Sequence, residues 1–261
     1  MDITRRSALA GFGAVAATFA LPARATSVTQ PSAVLELFTS QGCSSCPAAD
    51  AVLASYADRD DVLALAWHVD YWDYLGWRDD MARPAHSARQ RAYAENLGDG
   101  VYTPQVIVNG VLHGVGHRRD EVAGLLETAR RAQPLVPLAI ARHAAGYHVS
   151  LAGDEAERAR AEDATLFLVR FDSHRSVPIG RGENAGRRID YRNIVRGMQM
   201  LGSVANGRME VSLSLAALRR AMPERHAVPV GQSCALVLQH SVRGMPGPIV
   251  GAATLGDLSG A

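Results

Sequence analysis

Cysteine is scarce in this sequence, and so are net charge and long hydrophobic runs. Only 3 of the 261 residues are cysteine, which is too few for a disulfide-stapled scaffold. The 27 Lys and Arg residues nearly balance the 26 Asp and Glu residues, so the overall charge indicates neither a nucleic-acid nor an anionic-membrane partner. After the N-terminal segment, no run is apolar enough to span a membrane. With 48% hydrophobic residues, one large domain or two small ones are expected.

The N-terminal segment has the pattern of a secretory signal peptide over residues 1–25. Arg5 and Arg6 precede an alanine-rich apolar run over residues 8–21, and the small-x-small sequence Ala23-Arg24-Ala25 closes the segment. This run is shorter than the ~20 apolar residues that a membrane-spanning helix needs. The pattern predicts cleavage after Ala25 and a periplasmic or secreted mature chain. The two arginines are also compatible with twin-arginine export.

Two of the cysteines form a Cys-x-x-Cys motif, Cys43-Ser44-Ser45-Cys46. Export would place this pair in a compartment where disulfides persist. The motif joins an apolar, strand-like run to residues with helical spacing. At the exposed start of a helix, free backbone N–H groups and the helix dipole favour a Cys43 thiolate, so Cys43 is predicted to attack and Cys46 to resolve the mixed disulfide. Cys234 lies in an apolar run and is expected to be a buried packing residue.

The order of the predicted elements indicates an α/β domain over about residues 33–133, followed by a mostly β region over residues 134–258. The elements expected in the first domain are a strand over 33–39, a helix over 46–56, a strand over 61–69, a helix over 84–96, a hairpin over 103–114 and a helix over 119–131. The first strand, helix and strand imply a right-handed parallel unit. Short extended runs expected in the second region are 138–151, 165–171, 208–213 and 235–242, with a short helix over 215–222.

The dipeptide Thr103-Pro104, immediately before the predicted hairpin, is the second element that carries chemistry. In a thioredoxin-type sheet this position holds a cis-proline that faces the cysteine pair. Such a proline leaves the backbone of Thr103 free to pair with an extended substrate chain. Thr103 and Pro104 are therefore predicted to bind substrate. A strand that simply starts at Pro104 is the structural alternative.

From Val34 to about Arg130 the chain resembles thioredoxin-like proteins. The segments 36–47 and 68–77 are similar to those of a family of secreted bacterial proteins catalogued as a domain of unknown function, and the segments 181–187 and 247–252 also fit that family. The resemblance implies a thioredoxin-like fold, a central mixed sheet with flanking helices, and supplies no established activity. The two serines between the cysteines depart from the commonest thioredoxin signatures, which leaves oxidation, reduction and isomerisation open.

Metal binding and a static disulfide are the alternatives to exchange. A structural zinc site would need two further ligands at matching spacing, and this sequence has no second cysteine pair. His68 ends the second strand, at the same sheet edge as Cys43, where it would tune the thiolate or join the two sulfurs in a copper site, as in thioredoxin-like copper chaperones. A histidine that hydrogen-bonds near the core is the plainer interpretation.

The sequence thus predicts an exported thiol–disulfide oxidoreductase that uses Cys43 and Cys46, needs no cofactor and acts on the thiols or disulfides of other exported proteins. The alternative is a non-enzymatic periplasmic binding protein, copper-handling or partner-docking, with a static Cys43–Cys46 disulfide. Substrate identity, direction of electron flow and oligomeric state do not follow from the sequence.

Two further features have two interpretations each, and a third has one. The first is an aromatic cluster, which either rims a groove for an extended peptide or packs over one face of the sheet; it comprises Trp67, Tyr71, Trp72, Tyr74 and Trp77. The second is the charged segment 181–187, for which a hairpin turn is favoured over a partner or ligand contact. The third is Asp50, which falls in the early turns of the first helix, where a negative charge suits the helix dipole.

Overall fold

The computed structural model describes residues 28–220 and 231–257, and the predicted signal peptide lies outside them. The strands are β1 (Ala33–Thr39), β2 (Val62–His68), β3 (Gln105–Val108), β4 (Leu112–Val115), β5 (Leu138–His143), β6 (Gly146–Leu151), β7 (Thr165–Pro178), β8 (Arg188–Ser203), β9 (Glu210–Ser214), β10 (Gln232–Val242) and β11 (Met245–Asp257). The helices are α1 (Cys46–Ala57), α2 (Pro84–Leu97), α3 (Arg119–Ala132), α4 (Glu155–Arg160) and α5 (Leu215–Arg220), with a 3₁₀ turn at Asp73–Leu75. Within the described ranges, no helix combines the length and the apolar character needed to cross a membrane.

Eight strands form one mixed sheet in the order β11-β10-β7-β8-β2-β1-β3-β4. β1 and β2 run parallel, and Thr39 lies opposite His68 at their carboxyl ends. Every residue of both strands is buried, as expected for a parallel pair that is covered on both faces. The carboxyl end of β1 leads directly into the turn that carries the cysteines, so this turn lies beside the end of β2.

The predicted elements of the 33–133 region are confirmed to within about two residues at each end. The hairpin between β3 and β4 turns at Asn109 and Gly110, whose φ angles are 48° and 71°. Both angles fall in the left-handed region that an Asn-Gly hairpin turn requires. The fold class is therefore a mixed α/β architecture with helices that flank a large sheet.

The region after residue 134 is rich in strands, as the sequence predicts. Four of its strands, β7, β8, β10 and β11, extend the large sheet, and β8 joins β2 in a parallel pairing where Ile194 lies opposite Ala66. β5, β6 and β9 form a separate three-stranded sheet. Both predicted domains thus contribute strands to one sheet, and the β7–β8 hairpin brings its closing loop to the edge where β1 and β2 end.

A buried ionic network ties α2 to the sheet. The Arg89 guanidinium donates to both carboxylate oxygens of Glu36 on β1 at 2.9 and 3.2 Å. It also donates to the Tyr93 hydroxyl at 2.9 Å and to Gln239 Oε1 on β10 at 3.0 Å. Glu36 and Gln239 are each 1% exposed, so the charge of Glu36 depends on Arg89 for its compensation.

Candidate functional site

The cysteines of the motif are joined by a disulfide at the start of α1. Cys46 is the first helical residue and Cys43 lies in the preceding turn, with their Cα atoms 5.4 Å apart. The Ser45 hydroxyl lies 3.4 Å from Cys43 Sγ. The exposure expected for Cys43 is wrong, because Cys43 is only 1% exposed and Cys46 is completely buried.

Cys43 is buried beneath the loop that closes the β7–β8 hairpin, residues 179–187. Asn184 in this loop is itself fully buried and donates through Nδ2 to the carbonyl oxygens of Gln41 at 3.0 Å and Cys43 at 2.9 Å. Glu183 Oε2 accepts a hydrogen bond of 3.1 Å from the Ser44 N–H. The sequence predicts a charged hairpin turn here, and the structure adds direct contacts between that turn and the motif.

Two tryptophans support the motif from the aromatic segment. The Trp77 indole N–H donates to Gln41 Oε1 at 2.7 Å. Trp72 packs against Gly42, where an added Cβ would lie 3.1 Å from Trp72 Cβ. The Trp72 indole N–H also donates to Thr103 Oγ1 at 2.8 Å, so one side chain contacts both the cysteine turn and the predicted substrate-binding segment.

The Thr103–Pro104 peptide bond is cis. The Pro104 carbonyl accepts a hydrogen bond of 2.9 Å from the Gly116 N–H, which fixes this segment to the far end of the β3–β4 hairpin. The neighbouring Tyr102 carbonyl accepts from Gln90 Nε2 of α2 at 2.7 Å. The segment before β3 is therefore held from both sides.

The other aromatic residues of the cluster have separate environments. Trp67 on β2 is 2% exposed and packs edge-on against His86 and beside Phe38. The Tyr71 hydroxyl donates to Gln90 Oε1 at 3.0 Å, whereas Tyr74 is 79% exposed. Trp67 thus belongs to the core, while Trp72 and Trp77 belong to the candidate site.

His68 is linked to the cysteine motif by hydrogen bonds through Asp79. The two side chains are completely buried, with His68 Nδ1 2.7 Å from Asp79 Oδ2, and the same carboxylate oxygen accepts from the Gln41 N–H at 2.9 Å. Burial lowers the pKa of His68, but the Asp79 carboxylate outweighs it and the pKa is raised. Burial raises the pKa of Asp79, yet the His68 charge and the hydrogen bonds hold it below its usual value. Each partner thus favours the charged form of the other, and the pair positions the turn.

Asp50 is a buried acid on the face of α1 that Cys46 occupies, one turn further along the helix. Burial raises its pKa from 3.8 to about 7, although the nearby His68 opposes the shift. Among the described residues, neither carboxylate oxygen of Asp50 has a hydrogen-bond partner, and the same is true of the Thr39 hydroxyl, His68 Nε2 and the Tyr191 hydroxyl. The sequence places Asp50 in the early turns of α1, and the structure adds that the helix turns this residue inward.

Other predicted features of the site concern metals and the third cysteine. Within the part of the chain that the structure describes, no group of three or more His, Cys, Asp or Glu side chains is arranged to hold a metal ion. Cys234 is a free thiol on β10 with no exposed surface, and burial raises its pKa to about 12. Its prediction as a packing residue is confirmed.

Sequence reasoning missed Asp79 and Asn184 and the inward position of Asp50. Asn184 lies 141 residues from Cys43 along the chain, and its loop has the composition of an ordinary surface turn. The one signal in the sequence was the resemblance of the segment 181–187 to the same family as the cysteine motif. That resemblance identifies the segment but not its contacts.

The chain is similar to one protein family and to two solved structures. A family model described as "Protein of unknown function (DUF1223)" matches residues 34–231. The crystal structure of protein AGR_C_4864 from Agrobacterium tumefaciens is similar, at 32% identity and a TM-score of 0.71, with 87% of this chain and 95% of that chain covered. HBP35 of Porphyromonas gingivalis shares the fold at 13% identity and a TM-score of 0.52, over 86% of this chain and 74% of that chain. No curated protein matches.

Proposed function

Because the chain belongs to the DUF1223 family, whose function is unknown, we infer its activity from its own residues and propose that it exchanges disulfides with other exported proteins. The observation that carries this proposal is the disulfide between Cys43 and Cys46 at the start of α1, linked through Trp72 to Thr103. A disulfide at this place can accept two electrons from a partner, and the dithiol so formed can return them, without dismantling the helix.

We propose a thioredoxin-like fold for the first part of the chain. The order of its elements supports this: a strand, the cysteine turn and a helix lead to a second parallel strand, and a further helix then leads to Thr103-Pro104, a hairpin and a last helix. The same order puts the cysteine turn and the Thr103-Pro104 segment on either side of Trp72. The sequence resemblance adds independent support.

In the reduced protein, the Cys43 thiolate attacks one sulfur of a partner disulfide. A bond forms between Cys43 and that sulfur, and the other partner sulfur leaves as a thiolate that takes up a proton. Cys46 then attacks Cys43, which restores the Cys43–Cys46 disulfide and releases the second partner thiolate. Two electrons pass to the partner, and the reverse sequence returns them. The helix dipole at the start of α1 and the Ser45 hydroxyl, 3.4 Å from Cys43 Sγ, stabilise the attacking thiolate.

We propose that Asp50 receives the proton that Cys46 must lose. Both residues are buried on the same face of α1, so water cannot easily take this proton. With a pKa of about 7, the Asp50 carboxylate accepts a proton and returns it near neutral pH. Its oxygens have no hydrogen-bond partner among the described residues, which leaves them available for this exchange.

The proposed partners are extended segments of exported proteins. Thr103 and Pro104 lie across Trp72 from the cysteine turn, and a chain laid along this segment would bring its own cysteine toward Cys43. The signal-like pattern over residues 1–25 supports a periplasmic or secreted location. An oxidising compartment would keep the pair in the disulfide form between encounters.

Copper handling has less support as an alternative. His68 Nδ1 is bound to Asp79, and His68 has no exposed surface; the hydrogen bonds that link the imidazole to the motif run through Asp79 to the Gln41 N–H. A partner-docking protein with a static disulfide is the stronger alternative. It differs from the proposal in one respect, which is that Cys43 would never leave the disulfide during function.

Turnover of a model substrate separates these two functions. The substrate is a synthetic peptide with one intramolecular disulfide, incubated in a glutathione buffer, and the measurement is the rate at which peptide dithiol appears. We expect the mature wild-type protein to raise this rate catalytically and Cys43→Ser to return it to the buffer background, because the attacking sulfur is gone. Cys234→Ala is the matched control and should keep the wild-type rate, since Cys234 is buried away from the motif. A wild-type rate equal to that of Cys43→Ser would establish a static disulfide.

A further inference from the structure

The loop over residues 179–187 brings a negative charge to the cysteine turn. Glu183 is exposed, and its carboxylate is bound to the Ser44 N–H, directly after Cys43 in the chain. This N–H lies in the turn that leads into α1, two residues before the helix begins. The Glu183 carboxylate therefore lies beside the residue that follows Cys43, where its charge acts on a charged partner thiolate.

The loop is held in this position by several contacts. Asn184 donates to the carbonyl oxygens of Gln41 and Cys43. At the base of the loop, the Ile179 N–H donates to the Arg187 carbonyl at 2.8 Å, and the Gly186 N–H donates to the Ile179 carbonyl at 2.9 Å. These contacts fix the backbone of the loop. Glu183 is therefore held beside Ser44 although its side chain is exposed.

The opposite side of the loop packs on an aromatic ring that already contacts the motif. A Cβ added to Gly180 would lie 3.1 Å from Trp77 Cζ3, and one added to Gly182 would lie 3.2 Å from Trp77 Cβ. The indole of the same tryptophan donates to Gln41 Oε1. Trp77 thus connects the loop and the cysteine turn as one unit.

We propose that Glu183 selects the substrates of the cysteine pair by charge, so that Cys43 exchanges preferentially with cysteines flanked by lysine or arginine and poorly with cysteines flanked by acidic residues. This inference rests on the proposed disulfide exchange and names its substrate class. It also gives the region after residue 134 a part in the reaction, because that region supplies Glu183.

The physical basis is Coulombic. When a reductant thiolate attacks Cys43 Sγ, a bond forms between the two sulfurs, the Cys43–Cys46 bond breaks and Cys46 leaves with the electron pair as a thiolate that takes up a proton. A second negative charge on the reductant is repelled by the Glu183 carboxylate, whereas a positive charge is attracted. For charges several ångströms apart at a protein surface, this amounts to about a threefold to tenfold change in rate.

Small thiols of different charge test this selection. The disulfide form of the protein is reduced at low ionic strength with cysteamine, 2-mercaptoethanol or 2-mercaptoethanesulfonate, and the second-order rate constants are expressed per thiolate. In the wild type we expect the ratio of the cysteamine constant to the sulfonate constant to exceed that of Glu183→Gln by about threefold to tenfold. Glu183→Lys should lower the ratio further, and 0.5 M salt should bring the wild type close to Glu183→Gln.

Glu127→Gln is the matched control, because Glu127 is an exposed glutamate on α3 that pairs with Arg131 one turn away. It should keep the wild-type ratio. A ratio that is the same in the wild type, Glu183→Gln and Glu183→Lys would overturn the selection and leave disulfide exchange intact. If none of the three thiols reduces the disulfide in any variant, the proposed exchange itself fails, and the selection fails with it.

Discussion

Replacing Asp50 by asparagine is expected to make the protein more stable than the wild type at pH 8, although it removes a charged residue next to the cysteine pair. The pKa of Asp50 is raised from 3.8 to about 7 by burial. Between about pH 4 and pH 7 the folded protein therefore holds a proton that the unfolded chain has released. The stability that this proton provides is fully present below pH 4 and is lost as the pH rises through 7.

Asparagine has the shape of the protonated acid and never ionises. The variant therefore does not lose stability as the pH rises through 7. The difference in free energy of unfolding between Asp50→Asn and the wild type should grow by on the order of 3–4 kcal/mol from pH 4 to pH 8. Urea unfolding of the disulfide form at both pH values measures it. Asp60→Asn removes an exposed aspartate and is the control, for which the difference should stay constant. A constant difference for Asp50→Asn as well would show that Asp50 ionises like a solvent-exposed acid.

The second large effect concerns the link between α2 and the sheet. Arg89→Met should lower the free energy of unfolding by about 3–5 kcal/mol, because it leaves the buried Glu36 carboxylate without its counter-charge. The substitution also removes the hydrogen bonds to Tyr93 and Gln239. Since Gln239 lies on β10 and Glu36 on β1, the loss should weaken strands from both predicted domains together.

Arg91→Met tests whether the loss of stability comes from the buried position of Arg89 or from the loss of any arginine on α2. Arg91 lies on the same helix two residues further along and is exposed, so its replacement should change the free energy of unfolding by less than about 0.5 kcal/mol. Equal effects of the two substitutions would contradict the role assigned to the buried network.

The first half of the fold could be predicted because its signals are local. The run Ala33–Thr39 is continuously apolar except for Glu36 and Thr39, and the Asn109-Gly110 dipeptide is a strong hairpin signal. Two long strands of the second half have no such signal. β8 mixes polar and apolar residues and contains Gly197, and it is held as a strand by pairing with β7. β11 contains Pro246 and Pro248, which are tolerated because β11 is an edge strand.

The residues of the candidate site also differ in whether the sequence predicts them. Cys43, Cys46, Thr103 and Pro104 were predictable because each pair is a short motif at the junction between two elements. Asn184 was not, because it reaches the motif only through a hairpin that begins more than a hundred residues later. The positions of Asp79 and Asp50 depend on how side chains pack around β2 and α1. In a segment of mixed polarity, such packing produces no periodic pattern of apolar residues in the sequence.

The role of Cys43 as the attacking sulfur is tested most directly by trapping the intermediate. Cys46→Ser is incubated with the disulfide-containing peptide, the reaction is quenched with acid, and the protein is digested and mapped by mass spectrometry. We expect one peptide joined to Cys43 in a mixed disulfide that persists, because the resolving sulfur is absent, and no adduct in Cys43→Ser. An adduct on Cys234, or no adduct on Cys43 in the Cys46→Ser protein, would contradict it.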